Sequence, residues 1–313
     1  MESIIKEKPV TTAPSTLFTL VINPLLQIRG LLSVFYLAIN TLFWVGILAV
    51  ITVIRFILPF KAARIICSKT ADIIAECWIF FNNVGLIYTR HINIEVTGIE
   101  DLNRKDWYLV TSNHQTWTDI PILQKVFFRK IPFLKFFLKK ELIWVPLLGP
   151  AWWALDFPFM KRYSRNVLKK KPHLKGKDME ITRKACEKFK DMPVSIMNFA
   201  EGTRFTAEKH DRQASPYSHL LKPKAGGIGF VVSAMGNQLH YVLDVTIFYP
   251  QGKQSFWAFL CGKVSEVKVN IKKLPLTEDL LGDYTLDSSF RIKFQRWMNE
   301  IWQEKDKLME QLK

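Results

Sequence analysis

Between Leu31 and Ile54 the chain runs for 24 residues without a charged side chain. As a helix rising ~1.5 Å per residue, that stretch reaches ~36 Å, enough to cross a ~30 Å hydrocarbon layer. Arg29 bounds it on one side, and Arg55, Lys61, Arg64 and Lys69 follow on the other. Cations flanking an apolar run, with aromatic residues inside it, argue for lipid rather than a buried core, and the excess after the run places the following body on the cytoplasmic side. The stretch is too long and too late for a cleaved signal peptide, and no small-residue cleavage site follows it. Leu17–Leu26 is a second, shorter apolar stretch, broken at Asn23-Pro24. The two stretches allow one full crossing or a hairpin seated in one leaflet. Ala71–Ile87 is apolar but carries Asp72, Glu76 and Asn82-Asn83, and reads as a helix packed on protein or lying at the interface.

Charge bounds the partners. Lys+Arg 44 against Asp+Glu 28 gives +16, which favours an anionic partner: an anionic membrane, a phosphorylated substrate or nucleic acid. Lys125–Lys140 holds six cations interleaved with Phe127, Phe128, Phe133, Phe136 and Phe137, and Lys161–Lys177 holds eight with no acid. Basic and aromatic residues together can bind single-stranded nucleic acid, but no recognisable motif accompanies them, and a membrane face fits better. Most of these phenylalanines are expected in the core. The four cysteines, at 67, 77, 186 and 261, have no CxxC pair or zinc spacing, which fits a reducing compartment.

From about Ile92 the pattern changes to short strands separated by helical stretches. Ile92–Val96 alternates with period two, and Trp107–Val110, Val194–Phe199, Val242–Tyr249, Ser255–Cys261 and Val264–Val269 read as further strands. Helices are expected at Ile120–Arg129, Met179–Lys190 and Ile228–Met235. Interleaving of this kind predicts an α/β fold, a central mixed sheet flanked by helices. Phe290, Phe294, Trp297, Ile301 and Leu308 recur at 4, 3, 4 and 7, marking an amphipathic helix docked on the core. The chain divides into an N-terminal membrane-anchoring helical region, residues 1–90, and a body, residues 91–313, that ends in this helix.

Two polar motifs each follow an apolar strand: Asn113-His114-Gln115-Thr116-Trp117-Thr118-Asp119 and Glu201-Gly202-Thr203-Arg204. Loops at strand ends converge on ligands in α/β sheets. Five residues turn ~500° on a regular helix, which separates His114 from Asp119 by ~140°. They meet only if His114 lies in the loop and Asp119 in the first turn of the next helix, where Pro121 is tolerated. The carboxylate then accepts the imidazole Nδ1–H, and Nε2 is free to take a proton from a hydroxyl. That is the general-base half of a triad without its serine, the nucleophile being the substrate's own hydroxyl.

Asn113-His114 with Asp119, followed in order by Glu201-Gly202-Thr203-Arg204, resembles the glycerolipid acyltransferases, the PlsC-like lysophosphatidic acid and glycerol-3-phosphate acyltransferases with their His-x4-Asp and Phe-Pro-Glu-Gly-Thr-Arg blocks. Lys140-Glu141-Leu142 with Pro146 and Gly149, Phe159-Met160-Lys161-Arg162, and Asp244-Val245-Thr246 are similar to the family's intervening and following segments. Leu220–Gly227 resembles the YihG-type branch. One departure is visible: Ala200 stands where the common form of the third block has proline.

The resemblance implies a glycerol-3-phosphate acyltransferase-like fold and transfer of a fatty acyl group from acyl-CoA or acyl carrier protein to a lysophospholipid, 1-acyl-sn-glycerol-3-phosphate giving phosphatidic acid. It implies His114 and Asp119 as catalytic residues, and Glu201, Gly202, Thr203, Arg204, Lys161 and Arg162 as substrate-binding residues. No cofactor, metal or nucleic acid is implied, and the membrane is expected to be a bacterial inner membrane with the catalytic domain facing the cytoplasm. The rivals are acylation of another lysophospholipid in remodelling, a non-catalytic basic membrane-binding protein, and a metal-dependent hydrolase. The last lacks a third ligand beside His114 and Asp119 and any H-E-x-x-H pattern.

Overall fold

The uncharged stretch forms part of a longer helix, α1 (Thr16–Ile57), which turns back into α2 (Lys61–Thr89). The computed structural model describes residues 16–58, 60–89, 92–160, 192–236 and 238–313, with 180, 183, 184, 186, 187 and 189, and omits the side chains of 16–23, 86–89 and 160. Lys161, Arg162 and half of the helix expected at Met179–Lys190 lie outside these residues. Within α1, Pro24–Ile57 contains an 18-residue stretch of mean hydropathy 2.3 and is, by length and composition, able to cross a membrane.

The expected break at Asn23-Pro24 does not occur, because α1 runs through Pro24. A hairpin does form, but between α1 and α2. The Tyr36 ring fills the space beside Gly85, where a Cβ would come within 2.1 Å of it. The Tyr36 hydroxyl donates to the Phe81 carbonyl at 2.6 Å, and the Asn40 amide donates to Trp78 O and Asn82 Oδ1 at 3.1 and 2.8 Å. These polar bonds explain why Ala71–Ile87 tolerates its asparagines. The outward faces remain apolar, with Leu31, Leu32, Phe35 and Phe43 on α1 and Ile66, Ile73 and Phe80 on α2 all exposed.

Charges attach the hairpin to the body. Arg55 makes a two-pronged contact with Asp156 at 2.9 and 3.2 Å, Asp72 pairs with Lys135 at 2.7 Å, and Glu76 pairs with Arg104. Lys135 is therefore not part of a basic surface. It is buried at 3% exposure, and its ammonium also donates to the Leu155 carbonyl. Phe127, Phe133 and Phe136 of the same run are core residues.

The body is a six-stranded sheet of β1 (Asn93–Thr97), β2 (Tyr108–Ser112), β3 (Leu134–Phe136), β6 (Ser195–Phe199), β7 (Tyr241–Phe248) and β8 (Glu266–Pro275), in the order β1-β8-β7-β2-β6-β3. All neighbours are parallel except β7 and β8. A separate pair, β4 (Leu138–Lys139) and β5 (Phe159–Met160), lies apart from it. All five residues of β2 are buried, and its apolar side chains alternate between two cores. Tyr108 and Val110 join a core shared with α1, α2 and α3 (Asp119–Val126), while Leu109 joins the opposite core. That second core packs α6 (Ala225–Met235) and α8 (Ser288–Gln311) on the other face. Shorter helices α4 (Leu148–Ala154), α5 (Ala207–Gln213) and α7 (Phe256–Leu260) complete the described elements.

Helix α7 corrects the strand expected at Ser255–Cys261. The Ser255 hydroxyl accepts the Ala258 amide at 3.0 Å, so a helix cap overrides the β preference of the aromatic residues. The docked face of α8 carries Phe290, Phe294, Met298, Ile301, Trp302, Lys305 and Met309, whereas Trp297 and Leu308 lie at its margin.

Candidate active site

Three adjacent parallel strands, β7, β2 and β6, run toward one edge, with Ser112 level with both Phe199 and Val245. The loops after β2 and β6 are therefore neighbours. The Asn113 side chain pins the first loop to β7, donating to Ile247 O and accepting from Ile247 N, both at 2.9 Å. The Phe205 amide donates to the His114 carbonyl at 2.8 Å and ties the two loops together.

His114 lies in the loop and Asp119 is the first residue of α3. His114 Nδ1 is 2.8 Å from Asp119 Oδ2, which also accepts the amides of Gln115 and Thr116 at 2.6 and 3.0 Å. The Tyr249 hydroxyl donates to Oδ1 at 2.7 Å. With three other donors already on it, the carboxylate holds the imidazole through an Nδ1–H bond, which leaves the lone pair on Nε2. Phe199 stacks on the imidazole at 3.9 Å between ring centres and 13° between planes, fixing its orientation. Asp119 is fully buried, the His114 side chain keeps 12% exposure, and Nε2 has no partner among the described residues.

The second loop is built differently. Gly202, at φ 69°, takes the left-handed conformation that the turn after β6 requires, with its amide on the Phe199 carbonyl at 2.9 Å. Glu201 is fully buried, and neither carboxyl oxygen has a hydrogen-bond partner of good geometry among the described residues. Burial pushes its carboxyl well above the ordinary range, and the nearby Asp119 charge acts in the same direction. The close backbone of His114 and Leu221 and the Lys305 ammonium oppose this and do not offset it. Glu201 does not hold Arg204. The Arg204 guanidinium is exposed and lies over the Trp117 ring at 4.5 Å. Thr203 Oγ1 accepts from the Lys209 ammonium at 2.8 Å.

Beneath the loops, Lys305 of α8 is 1% exposed. Its ammonium sits 2.8 Å from Asp244 Oδ1 and donates to Val245 O and Thr246 Oγ1 at 2.6 and 3.2 Å. Sequence reasoning missed Tyr249, Phe199 and Lys305 as parts of this site. They are 130, 85 and 191 residues from Asp119 or His114, and no local spacing signals them. Lys161 and Arg162 lie outside the described residues, so of the expected set the structure brings together His114, Asp119 and Glu201–Arg204.

A family model described as Acyltransferase matches residues 93–249, half of the chain. The chain belongs to the acyltransferase family. Both polar motifs and Tyr249 fall within the acyltransferase region, while β8 and α8 lie beyond it. The chain is 27% identical over 190 residues to 1-acyl-sn-glycerol-3-phosphate acyltransferase gamma of Mus musculus, covering 57% of this chain and 46% of that protein. It is 24% identical over 188 residues to 1-acyl-sn-glycerol-3-phosphate acyltransferase delta of Homo sapiens, covering 56% of this chain and 45% of the relative. It thus spans about half the length of the curated relatives it matches. Among solved structures it is similar to the 1-acyl-sn-glycerophosphate (LPA) acyltransferase PlsC from Thermotoga maritima, with TM-score 0.47 and 19% identity over 88% of this chain and 97% of that one.

Proposed function

We propose that this protein is a membrane-bound O-acyltransferase that transfers a fatty acyl group from a thioester, acyl-CoA or acyl carrier protein, to 1-acyl-sn-glycerol-3-phosphate, giving phosphatidic acid. The observation that carries this reading is the His114–Asp119 contact at 2.8 Å, with Nε2 unengaged and no serine, threonine or cysteine hydrogen-bonded to it among the described residues. The attacking oxygen is then the acceptor's own hydroxyl. His114 removes its proton as the oxygen adds to the thioester carbonyl, and Asp119 stabilises the imidazolium. The tetrahedral intermediate expels the thiolate, which takes the proton from His114 Nε2. The exposed Arg204 fork suits the acceptor's phosphate. Residues 1–90 serve as the membrane anchor and 91–313 as the catalytic domain, and the apolar outer face of α1 supports that division.

Purified full-length protein should transfer labelled acyl groups to lysophosphatidic acid. His114→Ala should reduce the rate by ~10²–10⁴-fold without lowering the melting temperature. Undiminished transfer by that variant would remove the mechanism, and absence of transfer by the wild type from either donor would remove the activity.

A further inference from the structure

Three cations surround the turn after β6. The Arg204 guanidinium rests on Trp117. The Lys209 ammonium donates to Thr203 Oγ1 at 2.8 Å and to Arg204 O at 3.0 Å. The Lys253 ammonium donates to Phe205 O at 2.9 Å and lies 4.6 Å from the Phe205 ring centre. All three are therefore held on residues 203–205, in contact with the loop that is bonded to His114 O. Lys253 is fixed from the other side too, because the Thr116 hydroxyl of the first loop donates to the adjacent Gln254 carbonyl at 2.9 Å.

None of the three cations pairs with a carboxylate among the described residues. Some exposed lysines elsewhere do: Lys272 with Glu304, Lys293 with Asp279, and Lys313 with Glu310. The acids nearest the turn, Asp119 and Glu201, are fully buried beneath it. An ammonium has three donors. Lys209 spends two on the loop and Lys253 one, which leaves one and two N–H groups for a ligand. Burial lowers the Lys253 pKa and the Lys209 charge acts in the same direction, a cost that an arriving anion reverses.

We infer that Lys209 and Lys253 join Arg204 in a three-cation rim that binds a phosphate group carried by one of the two lipid substrates. Lys253 lies beyond the region matched by the family model. The inference rests on the acyl-transfer reading only for the identity of the phosphate's carrier, which is either the acceptor's phosphomonoester or the phosphates of the donor's coenzyme A. Three donors of different reach around one turn suit a tetrahedral dianion better than a planar carboxylate.

The test is equilibrium binding by full-length protein at fixed neutral detergent, read calorimetrically and without turnover. Lysophosphatidic acid is compared with the monoacylglycerol of the same chain, and acyl-CoA with the corresponding acyl-pantetheine. Lys209→Gln and Lys253→Gln should each weaken one phosphate-bearing ligand about tenfold and spare its phosphate-free counterpart. The pair that separates names the carrier. Lys209→Arg and Lys253→Arg should restore most of the loss. Equal weakening with and without phosphate would reduce the lysines to loop staples and overturn the inference, as would no weakening at all. A wild type that binds these ligands with the expected preference but transfers no acyl group would defeat the proposed activity and leave the rim standing.

Discussion

The two loops that meet at the sheet edge are opposites. Around Asp119 the loop after β2 is saturated: the carboxylate accepts four donors, Asn113 is bonded in both directions to Ile247, and the imidazole is clamped by Phe199. The loop after β6 holds a buried carboxyl without good partners and three cations without counter-ions among the described residues. A saturated loop fixes a proton acceptor to within tenths of an ångström, which proton transfer needs. An unsaturated one keeps binding capacity in reserve for a charged ligand. On the proposed mechanism, the contrast divides a chemical role and a recognition role between neighbouring strands of one sheet.

The largest expected effect breaks the saturated side. Asp119→Asn keeps the side chain's shape but removes the charge and puts an NH2 among donors. Single-turnover rates should fall ~10²–10⁴-fold, with binding of both substrates preserved. Next, Arg204→Ala should raise KM for lysophosphatidic acid about 10–100-fold and leave kcat within a few-fold, the size of a lost charge-assisted contact. A kcat collapse with unchanged KM would merge the two roles and dissolve the comparison. Tyr249→Phe removes a single donor from Asp119. It should lower kcat about tenfold and leave KM for both substrates within a few-fold, because the lost hydrogen bond orients Asp119 and touches neither substrate. A purely structural role for Tyr249 would lower the melting temperature and leave kcat in place.

The smallest effect concerns stability. The folded-state pKa of Glu201 lies well above its unfolded value of about 4.3, so the folded state retains a proton that the unfolded state gives up. That contribution is complete below about pH 4 and is lost as pH rises toward the folded pKa. Glu201→Gln should therefore melt higher than wild type at pH 8, with the gap closing near pH 5 in calorimetric scans. A constant gap across that range would mean that Glu201 is not the group responsible.

Five of the six sheet strands, all but Leu134–Phe136, and the placement of both polar motifs at strand ends were legible because period-two alternation and apolar runs are local signals, and a sheet buried on both faces amplifies them. The helical start at Asp119 was legible for the same reason: the angle between His114 and Asp119 admits few local geometries. Where the reading failed, a distant contact or a local cap had decided. Lys135 reads as a surface cation until Asp72, 63 residues earlier, meets it in the core. Ser255–Cys261 reads as a strand until its capping serine is seen to close a helical turn. The pairing of α1 with α2 was not legible because helix–helix pairing depends on shape, such as the Tyr36 ring against Gly85, and hydropathy carries no shape.

By itself, the sequence determined a long apolar helix, an α/β body and two loops bearing a histidine–aspartate pair and an arginine, since each depends on neighbours within one turn or one strand. Only the tertiary structure decided which groups complete them. Tyr249 reaches Asp119, Lys253 reaches Phe205 and Lys305 reaches Asp244 across 130, 48 and 61 positions. Hydrogen bonds act over about 3 Å of space and carry no trace in chain separation, so these partners emerge only once the sheet has brought its strand ends together.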